Sequence, residues 1–140
     1  MKRFIILGIA AFAAALSGCA TTDFPSMSEM LRDTTEQDGR ACVRESDIDG
    51  YGVLENDVIS IDGGQDYYLA TVLPGCNNLA TSIGLMFSDN FGEICGQRGD
   101  EVRTGRDTCQ IHQVFEFDDR EEAFEAFNDV MEVRERMGEE

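Results

Sequence analysis

The stretch from Asp57 to Cys76, DVISIDGGQDYYLATVLPGC, constrains the fold more than any other part of the chain. Two runs rich in β-branched and aromatic residues, Val58–Ile61 and Tyr67–Leu73, flank Asp62-Gly63-Gly64-Gln65. The glycines tolerate positive φ, and the aspartate can bond the backbone of its own turn, so a hairpin is predicted. It ends on the turn Pro74-Gly75 before Cys76. In the second run Tyr67, Leu69, Thr71 and Leu73 share one face, and Tyr68, Ala70 and Val72 the other. Both faces are largely apolar, as expected of a central strand covered on both sides.

Further short strands are expected around this hairpin. They are Ala41–Arg44, Val53-Leu54, Leu79–Phe87 with Ile83, Leu85 and Phe87 at period two, Phe91–Cys95, Glu101–Thr104, and Cys109–Phe117 with Ile111, Phe115 and Phe117 on one side. Turn clusters separate them, which predicts a small antiparallel sheet or barrel of about five to seven short strands. The period then changes. Asp118 or Asp119 can cap a helix, with Glu121 or Glu122 three residues on from each. Ala123, Phe124, Phe127, Val130 and Met131 form an apolar stripe at helical spacing. The expected class is mainly β (α+β), with one C-terminal amphipathic helix packed on the sheet. The rival use of the stripe is to dock a partner.

The N-terminus reads differently. Met1-Lys2-Arg3 is a basic start, and Phe4–Leu16 is an apolar run of signal-peptide length, too short to span a membrane. With Leu16-Ser17-Gly18-Cys19 it resembles a bacterial lipoprotein signal, whose small residues admit the peptidase and whose cysteine is lipidated. The resemblance implies removal of residues 1–18. It also implies a diacylglyceryl group and an amide-linked acyl chain, such as palmitate, on Cys19. Several chains together give a stable anchor. Ala20, where Asp would favour inner-membrane retention, points to the periplasmic face of the outer membrane. Residues 19–39 are expected to be a lipidated N-terminus and flexible tether, although Ser26 and Glu29 have capping-box spacing for a short helix. A single domain is then expected over residues 40–137.

Losing residues 1–18 removes Lys2 and Arg3 and no acid, leaving nine basic residues against twenty-eight acidic ones and moving the charge from −17 to −19. Such a surface repels nucleic acid and anionic headgroups. Arg40–Arg44, Asp57–Asp62, Tyr67–Cys76, Phe91–Gly96, Cys109–Ile111 and Phe115–Phe117 resemble segments of uncharacterised proteobacterial lipoproteins with a domain of unknown function. The resemblance covers roughly residues 40–127 and implies architecture rather than a catalytic residue.

Four cysteines besides Cys19, in an exported chain, read as two disulfides. Zinc is the alternative, but no two lie within four residues of each other and the chain has one histidine. Three connectivities are open. The preferred one joins Cys42 to Cys109, first strand to last, and Cys76 to Cys95 across the hairpin between them.

The candidate chemistry is sparse. Asp47-Ile48-Asp49-Gly50-Tyr51-Gly52 matches part of a calcium loop, but Tyr51 and Val58 stand where ligands are needed. Asp47, Asp49, Asp62 and Asp66 are the candidates for a cation site assembled from separate loops. His112 is expected to point outward or lie at an edge. Ser60 and Ser82 lack nucleophile-elbow glycines. No cofactor is expected. The expected partners are a membrane reached through the lipid and an unidentified protein. These residues predict a lipid-anchored periplasmic domain doing non-enzymatic binding or envelope accessory work. The rivals are a calcium-type divalent-cation binder and a hydrolase with a site assembled across loops.

Overall fold

The computed structural model describes residues 24–138. In chain order they form α1 (Met27–Thr35), β1 (Val43–Arg44), a 3₁₀ turn (Glu45–Asp47), β2 (Gly50–Glu55), β3 (Val58–Asp62), β4 (Tyr67–Val72), β5 (Met86–Ser88), β6 (Glu93–Ile94), β7 (Glu101–Arg103), β8 (Thr108–Phe117) and α2 (Arg120–Gly138). Six strands make one antiparallel sheet in the order β2-β3-β4-β8-β7-β5, curled into a half-barrel, and β1 pairs with β6 in a small second sheet. The predicted class is correct.

β3 and β4 form the expected hairpin, with Val58 opposite Thr71 and Asp62 opposite Tyr67. Gly64 takes φ +82°, and Asp62 Oδ1 accepts its amide at 3.0 Å, so the turn closes on its own aspartate. β4 lies between β3 and β8 and is covered on both faces. On one side Val58, Leu69, Phe115 and Phe117 pack against Met27, Met30 and Leu31 of α1 and Ala123, Ala126 and Val130 of α2. On the other, Ile59, Ile61, Ala70, Ile111 and Val114 meet Val43, Leu79, Leu85, Ile94 and Val102.

The segment expected to be a tether is part of the core. Ser26 and Glu29 make the full capping box: Ser26 Oγ accepts the Glu29 amide at 3.3 Å, and Glu29 Oε2 accepts the Ser26 amide at 2.7 Å. Those bonds hold the Glu29 carboxyl below the usual range. Met27, Met30 and Leu31 then share one buried face at helical spacing. Ser28 and Thr71 join α1 to β4 by a buried hydroxyl pair at 2.6 Å. After α1, residues 37–41 run along β8. Val114 donates to the Gly39 carbonyl, Ala41 donates to the Val114 carbonyl, and the Gln37 side chain bonds both backbone groups of Glu116. This covers the part of β8 that extends beyond β7.

Three expectations about pairing are corrected. The disulfides are Cys42–Cys95 and Cys76–Cys109, not Cys42–Cys109 and Cys76–Cys95. Val43 pairs with Ile94, which brings Cys42 to Cys95. The β4–β8 ladder runs through Val72–Ile111 to a Leu73–Gln110 bond, which carries Cys76 to Cys109. No hairpin joins Cys76 to Cys95, because β5 pairs with β7 instead of β6. Ile111 faces the opposite way from Phe115 and Phe117. An irregularity opposite Thr71/Val72 skips His112 in the pairing, and a skipped residue flips the alternation. The Gly96 backbone presses so closely on the His112 carbonyl there that a Cβ would collide with it. The expected strand Leu79–Phe87 shrinks to Met86–Ser88. Thr81 and Ser82 hydroxyls donate to the Asn78 carbonyl, and Ala80 donates to Asn56 Oδ1, so the preceding residues turn instead of extending.

α2 begins as predicted, with Asp119 Oδ1 accepting the Glu122 amide at 2.9 Å. Its buried face is Ala123, Ala126 and Val130, with Phe127 and Met131 partly buried beside them. Phe124 is at the rim, its ring 6.1 Å from that of Tyr67 and under the Arg120 guanidinium.

Candidate functional site

The two ends of the sheet differ in chemistry. One end gathers the start of α1, the end of α2 and the turn after β4. Between them is a pocket of about 640 Å³, lined by Phe24, Met27, Leu73, His112, Arg134 and Met137 among others. That volume is within the usual range for small-ligand sites. The wall is mainly apolar, and two of its residues remain open to solvent: Phe24 is 66% exposed and Leu73 41%. Arg134 Nη2 lies 3.1 Å from Asp57 Oδ2 at the rim. Both groups reach solvent, so the pair contributes at most about 1 kcal/mol. His112 is exposed on the irregular step of β8, in keeping with its expected outward direction.

The opposite end is acidic. Asp49 donates its amide to the Asp62 carbonyl at 2.8 Å, which sets the loop before β2 against the tip of the β3–β4 hairpin. This gathers Asp47 and Asp49 near Asp62 and Asp66, and the end of β8 adds Glu116. Burial raises the Glu116 carboxyl above its ordinary range, followed by the charge of Asp66 and a hydrogen bond to it. Burial also raises the Tyr68 hydroxyl, with further push from Glu116, Asp66 and Asp47. The four predicted aspartates thus share one end of the molecule, but their ligand atoms do not converge. Among the described residues one group of three metal-capable side chains has its ligand atoms within 4.8 Å of one another, Cys42, Glu93 and Cys95, and two of its sulfurs form a disulfide.

A second carboxylate pair lies nearby. Asp89 Oδ1 accepts the Phe91 and Gly92 amides, while its Oδ2 is buried with no donor among the described residues. The Glu45 carboxyl is raised, first by its hydrogen bond to Asp89 and then by the Asp89 charge. The serines have structural partners: Ser60 donates to the Gly52 carbonyl and Ser82 to that of Asn78. Asp100 is buried, and its carboxylate accepts the Cys95 and Gln97 amides.

Sequence reasoning missed the pocket, because Phe24, Leu73 and Met137 belong to separate elements. The capping box at Ser26 was the local sign that the chain packs as soon as it reaches residue 26. Residues 1–18 and Cys19 lie outside the described residues. The family of unknown function DUF6491 matches residues 1–127. The chain belongs to this family. No curated protein matches it, and no solved structure does. The match runs from the first residue into the middle of α2 and assigns no chemistry to either end of this member of DUF6491. The two disulfides of this DUF6491 domain suit an oxidising compartment outside the cytoplasm.

Proposed function

We propose that this chain is a lipid-anchored lipoprotein whose domain is a non-enzymatic binding or accessory module of the bacterial cell envelope. Cys19 is the acylated residue and residues 1–18 are the removed leader. Ala20 directs the protein to the periplasmic face of the outer membrane. One observation carries the proposal: the start of α1, the side of the domain joined to Cys19, lies at the apolar end, while the carboxylates Asp47, Asp66 and Glu116 gather at the other. An anchored module built this way presents an acidic surface away from its attachment point, suited to a basic partner. The family match supports it by including the leader and Cys19. The test is radiolabelled fatty-acid incorporation in cells making the full chain or Cys19→Ala. Label and membrane fractionation should both be lost in the variant. A variant that is still processed at residue 19 and still partitions with membranes overturns the lipid anchor.

The divalent-cation alternative draws on the Asp66–Glu116 pair, whose like charges a bound cation would offset. It expects calcium to raise the melting temperature of the intact protein and Glu116→Gln to abolish that rise. Melting curves that superimpose with and without calcium remove it.

A further inference from the structure

We propose that the end of the domain carrying Phe24, Leu73 and Met137 rests on the bilayer that holds the Cys19 lipid, with these side chains in its interfacial layer. The inference rests on Cys19 as the acylated residue, and its occupant is a lipid surface. Chain length makes the first argument. From Cys19 to Phe24 is five residues, which span at most about 18 Å in any conformation. A tether reaching to residue 39 would let the domain tumble well clear of the membrane. Here the slack ends before α1, which is fixed by the Ser28–Thr71 pair and by fully buried Leu31.

Shape and charge give the second argument. Phe24 and Leu73 are exposed on one rim, where Met137 also lines the pocket, and the charges around them are of mixed sign: Arg134 with Asp57 and Glu55 by Leu73, and Arg32 with Glu29 and Asp33 by Phe24. Apolar groups on such a rim gain by entering the boundary between headgroups and acyl chains. The acidic residues Asp62, Asp66 and Glu116 lie across the length of β4, about 20 Å away, where anionic headgroups repel them least. The opposite orientation would press those carboxylates on the membrane and strain the short connection to Cys19. A zwitterionic surface fits this charge distribution best.

The chain has no tryptophan, so a single introduced one reports on its own surroundings. Full-chain lipidated protein carrying Phe24→Trp, Leu73→Trp or Phe91→Trp is reconstituted in phosphatidylcholine vesicles with brominated acyl chains. Phe91 is 82% exposed in the loop whose Gly92 carbonyl accepts the Glu45 amide, near the acidic end. Phe24→Trp and Leu73→Trp should be quenched roughly twofold or more over Phe91→Trp. Two separate sites, each checked for a cooperative melt, guard against local misfolding, and Met137→Trp replaces either if it fails that check. Equal quenching at all three sites overturns the orientation. So does a blue-shifted but unquenched signal at residues 24 and 73, which would mean that a second copy covers the face. The lipid mass on the Cys19 peptide separates the two failures. Lipidated, vesicle-bound protein without quenching removes the orientation alone, and absence of the lipid removes the anchor and the orientation with it.

Discussion

The Tyr51 hydroxyl accepts the Leu85 amide at 2.8 Å, and the Tyr51 ring meets Phe87 edge-on at 5.7 Å. Tyr51 is on β2 and Phe87 on β5, the two outer strands of the six-stranded sheet. One side chain therefore spans the open seam of the half-barrel, where no strand pairing closes it. Tyr51→Phe keeps the ring and loses the acceptor, and should cost about 1 kcal/mol in urea unfolding. Tyr51→Ala should cost roughly 1 kcal/mol more, through the lost aromatic pair. Hydrogen exchange at Leu85 should quicken in both. An unchanged Leu85 exchange rate would mean that the seam is held elsewhere.

α1 tests as core, not tether. Leu31 is fully buried between the sheet and α2. Leu31→Ala should destabilise the protein by about 2–5 kcal/mol. A neutral effect in thermal melts would return this segment to linker status. Phe127→Ala should likewise cost more than Phe124→Ala, since the partly buried Phe127 packs against the core cluster while Phe124 stacks with Tyr67 at its rim.

Peptide mapping of unreduced protein should link Cys42 to Cys95 and Cys76 to Cys109. Opening either bridge should cost about 2–4 kcal/mol. The loops they close span 53 and 33 residues, so the first is expected to matter slightly more. Any other linkage would contradict the β1–β6 and β4–β8 pairings together.

Glu116 gives a pH signature opposite to ordinary acid unfolding. Its folded carboxyl binds a proton more tightly than the unfolded one. Its contribution is therefore full below the unfolded value of 4.5 and is lost as pH rises through the folded value. Glu116→Gln should raise the melting temperature at neutral pH and flatten this part of the profile. Glu29 is shifted the other way, so its contribution is present above the unfolded value and fades as pH falls. A Glu116→Gln profile parallel to that of the parent protein would show that folding does not shift the Glu116 carboxyl.

Local chemistry made several elements legible from the amino acids alone. The β3–β4 turn follows from Asp62 and Gly64, which bond each other. β4 is legible because seven consecutive residues leave no polar face. The start of α2 follows from Asp119 and Glu122, one turn apart. Even α1 announced itself through Ser26 and Glu29, although its polar composition argued for a linker. In each case the residues that decide the outcome are within about one turn or strand of one another.

What only the tertiary structure decided depends on partners far apart in sequence. The disulfide pairing follows from which strands become neighbours, and β5 choosing β7 over β6 is invisible in either segment. The irregular step at His112 exists only because β4 and β8 must stay in register on both sides of it, and it turns Ile111 away from Phe115. The separation of an apolar end from an acidic one arises because α1 and α2 run in opposite directions over the same sheet face. That geometry brings Phe24 beside Met137, while the turn chemistry of Asp62 and the end of β8 hold Asp66 by Glu116. The sequence determined the pieces, because turns and caps are settled by near neighbours. Folding determined the site, because burying both faces of one sheet fixed which distant residues had to meet.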